Sequence, residues 1–134
     1  MRCFWMLALL VGCGDLADPD FEAVEVQLDG ETVQTLEIST TGKNVFDEYV
    51  DPESVLVLKY DEPLDLSTVK DHVYIEDESG TELEATIEMK LSDIFITPDE
   101  PMEVGNHTLV AEDGIDDMSK NTTEVTFKIT FYVE

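Results

Sequence analysis

Basic residues are scarce in this chain. Only seven of its 134 residues are Lys or Arg, whereas 32 are Asp or Glu, so the formal net charge is -25 at pH 7. Proteins bind the phosphates of nucleic acids through clustered Lys and Arg, and a polyanion is repelled by them. The composition therefore excludes nucleic-acid binding.

Cysteine is scarcer still, and long apolar runs are missing. The two cysteines are Cys3 and Cys13, so the sequence beyond Cys13 has no thiol for a disulfide framework. The longest apolar run, Cys3 to Val11, is about half of the roughly 20 residues that a membrane-spanning helix needs. We interpret residues 1–12 as a signal peptide that is removed after export.

The end of this run, Leu10-Val11-Gly12-Cys13, resembles the lipobox of bacterial lipoproteins. The resemblance implies that Cys13 becomes the first residue of the mature protein and is lipidated, with palmitate among its acyl chains. Such chains anchor stably, because each buried methylene contributes about 0.8 kcal/mol. In that family Gly14, standing where inner-membrane proteins have Asp, favours the outer membrane. The alternative is an ordinary secretory signal with an incidental cysteine.

The next residues have the composition of a linker. Gly14 to Asp20 combine Gly, Pro and acidic residues without apolar periodicity, so we assign residues 13–21 to the lipidated Cys and a flexible tether, and residues 22–134 to one folded domain. Three explanations of the acidic charge stay open: a solvated surface, a saline habitat in which salt screens self-repulsion, and a requirement for divalent cations.

Short strands dominate the predicted domain. Asp29-Gly30 lies between two alternating segments, 23–28 and 32–38, and predicts a hairpin with a type I′ turn. Val55 to Tyr60 is too continuously apolar for a surface strand and is predicted to be central in a sheet. Ser67 to Lys70 is predicted to form one helical turn. The pattern predicts an all-β fold: an Ig-like antiparallel β-sandwich of about seven to eight strands.

From Val55 onward the order of motifs is similar to that of bacterial Ig-like domains of the S-layer protein type. The shared features are an apolar strand followed by Asp61-Glu62-Pro63, then Asp65-Leu66-Ser67-Thr68-Val69, the turn Asp77-Glu78-Ser79-Gly80, and a strand ending in Thr97-Pro98. Lys120 stands where the family usually has Gly before the final strand. The resemblance implies a non-catalytic envelope module without a shared active site.

The acidic loop, Glu112 to Asp117, lies near the end of the chain and is the candidate cation site. Calcium takes six to eight oxygen ligands, which acidic loops at the ends of sandwiches can supply. We predict Asp116 and Asp117 as the first Ca²⁺ ligands, and Glu112 and Asp113 as the next. The spacing does not match an EF-hand, and the alternative is a solvated loop.

Other candidate chemistry is weak in this sequence. His72 and His107 are isolated and are predicted to lie at surface or edge positions, and no serine lies in a Gly-x-Ser-x-Gly motif. Phe46 and Tyr49 are predicted to form either an aromatic plug under a loop or a binding patch.

We therefore expect a lipid-anchored, extracytoplasmic module with a structural or protein-interaction role and no enzymatic activity. Its expected partners are the membrane, through the lipid on Cys13, and envelope proteins or polysaccharide. The alternative is a calcium-dependent adhesion or ligand-binding domain, and a small envelope hydrolase is disfavoured.

Overall fold

Two β-sheets pack face to face in the computed structural model, which describes residues 18–41 and 43–134. The elements are β1 (Phe21–Leu28), β2 (Glu31–Glu37), β3 (Asn44–Val45), β4 (Val55–Tyr60), α1 (Leu66–His72), β5 (Val73–Glu76), β6 (Ala85–Lys90), β7 (Asp93–Pro98), β8 (Gly105–Ala111) and β9 (Phe127–Val133). The first sheet has the order β2-β1-β4-β7-β6 and the second β3-β9-β8-β5. This confirms the predicted Ig-like β-sandwich.

Two details of the fold differ from the prediction. The described part contains nine strands rather than seven to eight, and the sandwich is not antiparallel throughout, because β3 pairs with β9 in parallel. β3 is only two residues long, and a bridge from Val50 to Val133 continues the same parallel pairing. So short a strand has no sequence signature of its own, since its pairing depends on the neighbouring strand.

The domain boundary also needs a correction. Phe21, which was assigned to the tether, is the first residue of β1 and is buried. Its ring stacks on Tyr60 at a centroid distance of 4.9 Å and meets Phe127 edge-on at 5.2 Å. The contact with Phe127 joins the two sheets, so Phe21 belongs to the folded domain. The proposed signal peptide, residues 1–12, and Cys13 lie outside the described residues.

The first hairpin and the central strand follow their sequence patterns. Asp29 and Gly30 have φ angles of 54° and 82°, the two consecutive positive values that a type I′ turn requires. β4 lies in the middle of the five-stranded sheet, and Leu56, Val57 and Leu58 are all buried. A strand covered on both faces explains the continuous apolar run.

The sandwich has two distinct ends. We call the end with Phe21, Tyr60, Ala111 and Phe127 the tether pole, because the chain enters β1 there. We call the opposite end, where β1 and β9 finish and β8 begins, the far pole. The strand registers fix this arrangement, since Phe21 pairs with Tyr60 and Gly105 pairs with Val133.

The helical segment crosses the tether pole. α1 extends the predicted turn by one residue before it and two after it. Asp65 is its N-cap, accepting hydrogen bonds at Oδ1 from the Ser67 backbone N–H at 3.1 Å and from the Ser67 hydroxyl at 2.7 Å. Val69 is the buried residue through which the helix packs on the core. No helix in the described part is long and apolar enough to span a membrane.

Candidate functional site

Asp117 is the last residue of the acidic loop and is fully buried. Its Oδ1 accepts the backbone N–H groups of Ser119 at 2.8 Å and Asn121 at 2.9 Å, and its Oδ2 accepts the Asn121 amide at 3.0 Å. A buried carboxylate needs such partners, because an unpaired one is very costly. The carboxylate therefore holds the turn 117–121 together.

Two opposing effects act on the pKa of Asp117. Burial raises the pKa and is the largest single effect, but the hydrogen bonds with Asn121, Ser119 and Glu62 together outweigh it, and the pKa lies below its ordinary value of 3.8. Hydrogen bonds to the charged form stabilise it. Asp117 is thus ionised under neutral conditions despite its burial.

The other three predicted calcium ligands are bonded to different neighbours. Asp116 accepts the Thr122 hydroxyl at 2.6 Å, Asp113 accepts the Thr126 hydroxyl at 3.0 Å, and Glu112 accepts the Tyr74 hydroxyl at 2.8 Å. The last contact raises the pKa of Tyr74 to about 12. Within residues 18–41 and 43–134, no three His, Cys, Asp or Glu side chains are grouped so as to hold a metal ion. Calcium binding by Asp116, Asp117, Glu112 and Asp113 stays a prediction.

The acidic loop is attached to α1. The backbone N–H of Asp65 donates to the Asp116 carbonyl at 2.8 Å, and the backbone N–H of Asp116 donates to the Thr68 hydroxyl at 3.0 Å. Lys120 adds an ion pair to Asp65 at 3.6 Å. The observed role of this loop is thus to fix the crossing helix at the tether pole.

His72 completes this attachment from the end of the helix. Its Nδ1 lies 2.7 Å from the Thr68 carbonyl oxygen. Its ring lies against Gly114 so closely that a Cβ there would come within 2.9 Å of Nε2, and Gly114 has a φ of 105°. Gly114 is therefore required both for its backbone conformation and for the space that His72 fills.

His107 does not occupy the predicted surface or edge position. It lies in β8, is only 2% exposed, and stacks on Phe131 at a centroid distance of 5.5 Å. Leu109 and Ala111 on the same strand are also buried, so the period-two alternation that places His107 on the inner face was readable from the sequence. Because histidine is polar, this position was predicted to be at the surface despite the alternation.

One ring nitrogen of His107 has no partner. Nδ1 lies 3.0 Å from the Gly105 carbonyl oxygen and, since a carbonyl only accepts, Nδ1 carries the proton. In the neutral ring this leaves Nε2 as an acceptor. Nε2 is buried and lacks a hydrogen-bond partner in the part of the chain that the structure describes. Such groups are rare in folded proteins and call for an explanation.

A cleft at the far pole is lined in part by His107. It has a volume of about 380 Å³ and lies between the two sheets, where the loop after β7 passes the start of β8. Its lining combines a single basic side chain, His107, with apolar groups that include Leu83, Pro101 and Met102, and with six carboxylic acids: Asp77, Glu82, Glu84, Asp99, Glu100 and Glu103.

The carboxylates of the cleft differ in whether they already accept hydrogen bonds from other residues of the protein. Asp77 accepts hydrogen bonds from Ser79 and Thr81, and these, the Ser79 hydroxyl foremost, lower its pKa. In contrast, the side chains of Glu84, Glu100 and Glu103 are exposed and make no hydrogen bond or ion pair with any described residue. These three carboxylates are available to a ligand.

Phe46 and Tyr49 have separate positions. Phe46 is buried in the core, as a plug under the loop would be, whereas Tyr49 is 63% exposed and its ring lies 5.4 Å from that of Tyr132. The predicted aromatic pair is thus one core residue and one surface residue.

Comparisons with known proteins identify the fold. No family model matches the sequence, and no curated protein matches it. Among solved structures, the chain is similar to CopC from Methylosinus trichosporium OB3b, with a TM-score of 0.52 and 13% identity over 70% of this chain and 85% of CopC. It is also similar to the S-layer protein rSbsC(31-844), with a TM-score of 0.52 and 17% identity.

The S-layer match covers most of this chain but little of the S-layer protein. It spans 87% of this chain but only 14% of the S-layer protein, so this chain corresponds to a small part of that molecule. At these identities both likenesses show the fold alone. They support the β-sandwich fold, in agreement with the fold class predicted from the sequence.

Proposed function

We propose that the protein is a lipid-anchored module of the bacterial cell envelope, which acts by binding or spacing other envelope components and catalyses no reaction. The observation that carries this proposal is that the tether and the open cleft lie at opposite ends of the sandwich. The chain enters at the tether pole, directly after the segment that would link it to the lipid on Cys13, and the open cleft lies at the far pole.

The acidic loop supports the same proposal. Its carboxylates brace the loop through hydrogen bonds such as those of Asp117 and the one between Asp116 and Thr122, and the backbone of Asp116 attaches the loop to α1. A rigid tether pole suits a domain that is held at a surface. The likeness to part of an S-layer protein supports a role in the envelope, and we extend that role to this chain as part of the proposal.

The anchor is tested by expression of the full chain in a bacterial host that lipidates proteins. We expect the mature protein to begin at an acylated Cys13 in mass spectrometry and to fractionate with the outer membrane. The Cys13→Ser variant should lack the acyl mass and leave the membrane fraction. An unmodified N-terminus other than Cys13 in the wild-type protein would overturn the anchoring.

The orientation is tested with single cysteines introduced at the two poles of the anchored protein. Glu103→Cys lies at the far pole and Val125→Cys lies near the tether pole, and both parent side chains are exposed. With a bulky maleimide reagent on intact envelopes we expect faster labelling at position 103. Equal rates on the envelope, together with equal rates on the purified unanchored protein, would contradict display of the far pole.

A further inference from the structure

We propose that the cleft at the far pole binds a cationic group with N–H donors, an amine or a guanidinium, whose hydrogen bond satisfies His107 Nε2. This inference goes beyond the envelope role proposed above and does not depend on the lipid anchor. It rests on three independent features of the described residues: an orphaned imidazole nitrogen, the charge of the cleft and its size.

The orphaned nitrogen specifies the hydrogen-bonding character of the ligand. Because Nδ1 donates to the Gly105 carbonyl, the neutral ring offers only a lone pair at Nε2. A ligand that satisfies this atom must therefore donate a hydrogen. A buried acceptor without a partner is unfavourable because it has lost its hydrogen bond to water, and a ligand N–H would replace that bond.

The charge of the cleft specifies the sign of the ligand. Six carboxylic acids line it and, among them, Glu84, Glu100 and Glu103 are not paired with any residue that the structure describes. Carboxylates that line a concave surface concentrate the negative potential there. An anionic or neutral hydroxylated ligand would gain nothing from this field, whereas an ammonium or guanidinium would.

The size of the cleft favours an organic cation over a bare metal ion. About 380 Å³ lies in the lower part of the range for small-molecule sites and exceeds the volume of an ion many times. In addition, no set of three metal-ligating side chains is assembled anywhere in the described residues. The stem of a lysine or arginine, or a polyamine, would contact the apolar residues of the lining.

Access to Nε2 requires a small rearrangement, because the atom is buried in the unliganded protein. Met102 lines the same cleft and is itself buried. A methionine side chain has three rotatable bonds and adapts readily to a new neighbour. We infer that the ligand reaches Nε2 as side chains of the cleft, Met102 among them, change rotamer.

The test is a titration of the folded domain at about 0.15 M salt, where long-range attraction is largely screened. Two probes distinguish the source of the cation: spermidine, as a free polyamine, and a capped peptide with one Arg between glycines, as a protein side chain. A matched peptide with Gln in place of Arg is the control. Long-range ¹H–¹⁵N correlation spectra report on His107 Nε2 directly.

We expect a saturable shift of the His107 Nε2 resonance with at least one cationic probe and none with the Gln peptide. A response to spermidine alone assigns the site to free polyamines, and a response to the Arg peptide alone assigns it to a protein partner. If neither probe moves the Nε2 resonance, the proposal is wrong.

Two pairs of variants distinguish binding of the cation at a specific site from its diffuse attraction to a polyanion. Glu84→Gln removes a carboxylate that lines the cleft, and Glu88→Gln removes an exposed carboxylate of β6 outside it. We expect about fivefold weaker binding for the first, which corresponds to about 1 kcal/mol, and no change for the second. Equal weakening in both would overturn the proposal.

The second pair concerns His107 itself. His107→Phe preserves the ring stacked on Phe131 and removes the orphaned acceptor, so the variant should unfold at the wild-type temperature or above it. Binding should fall about tenfold. His107→Gln, whose amide oxygen can accept a hydrogen bond, should bind more tightly than His107→Phe. If His107→Phe folds and binds like the wild type, the imidazole has no part in recognition and the proposal fails.

Discussion

At the scale of single residues, the carboxylate of Asp117 stabilises the turn that follows the acidic loop. It is fully buried and accepts three hydrogen bonds from Ser119 and Asn121. We expect Asp117→Ala to lower the free energy of unfolding by about 3 kcal/mol, because the released donors lose charged acceptors. Urea unfolding measures this loss. Glu88→Ala, an exposed acidic control, should change it by less than about 0.5 kcal/mol.

The same substitution gives a pH dependence whose sign is fixed by the lowered pKa of Asp117. A carboxyl group with a lower pKa in the folded state contributes stability above its unfolded pKa, near 3.8, and loses it as the pH falls through the folded value. The difference in unfolding free energy between wild type and Asp117→Ala should therefore be constant at neutral pH and shrink below about pH 4. A difference that grows on acidification would contradict the assignment.

Gly114 and Gly80 form a second comparison at this scale. Both have positive φ, but a Cβ at Gly80 would meet no atom within 4 Å, whereas one at Gly114 would lie 2.9 Å from His72 Nε2. We expect Gly80→Ala to cost about 1 kcal/mol through backbone strain alone, and Gly114→Ala to cost about 3 kcal/mol. Thermal unfolding with a double-mutant cycle checks the cause, because His72→Ala should recover part of the loss only in the Gly114→Ala background.

At the scale of secondary-structure elements, the stability of α1 depends on its N-cap residue, Asp65. The helix has only seven residues, so it cannot persist by propensity alone and needs its cap and its contacts. Asp65→Ala should lower the unfolding free energy by about 1 kcal/mol, the usual contribution of an N-cap. Asp71→Ala, at an exposed position in the same helix, is the matched control and should have little effect in chemical denaturation.

The elements also show how far the sequence could predict this structure. Local signals sufficed for the Asp29-Gly30 hairpin, for β4 and for the helical turn within α1, because each is encoded by neighbouring residues. β3 was missed, since two residues of parallel pairing depend on where β9 lies.

Site residues were harder to predict than elements, for a related reason. The acidic loop was recognised, but its role was taken from composition, and composition does not tell whether a carboxylate faces a cation or a hydroxyl such as that of Thr122. The cleft joins Asp77, Glu84, Asp99 and His107 from separate parts of the chain. No linear motif connects them, so only the packing of the two sheets reveals the cleft.

At the scale of the whole molecule, the charge of -25 acts against compactness through self-repulsion. Raising NaCl from 0.1 to about 1 M shortens the screening distance from about 10 Å to about 3 Å, so the urea midpoint should rise with salt. CaCl₂ at matched ionic strength is the control: an additional rise would indicate specific calcium binding, for which Asp116, Asp117, Glu112 and Asp113 are the predicted ligands. A midpoint that falls with NaCl would contradict the role of repulsion.

The positions of Phe21 and Glu134 at opposite poles of the sandwich also have a mechanical consequence. A force applied at Phe21 and Glu134 pulls β1 and β9 along their own axes, across hydrogen bonds that lie perpendicular to the strands. Such a load shears many bonds at once, whereas pulling the β1–β2 hairpin apart from its open end breaks them one after another. Optical-tweezer measurements should find a higher rupture force between residues 21 and 134 than between residues 21 and 37. A protein anchored at one end and bound at the other would thus meet tension in its most resistant direction.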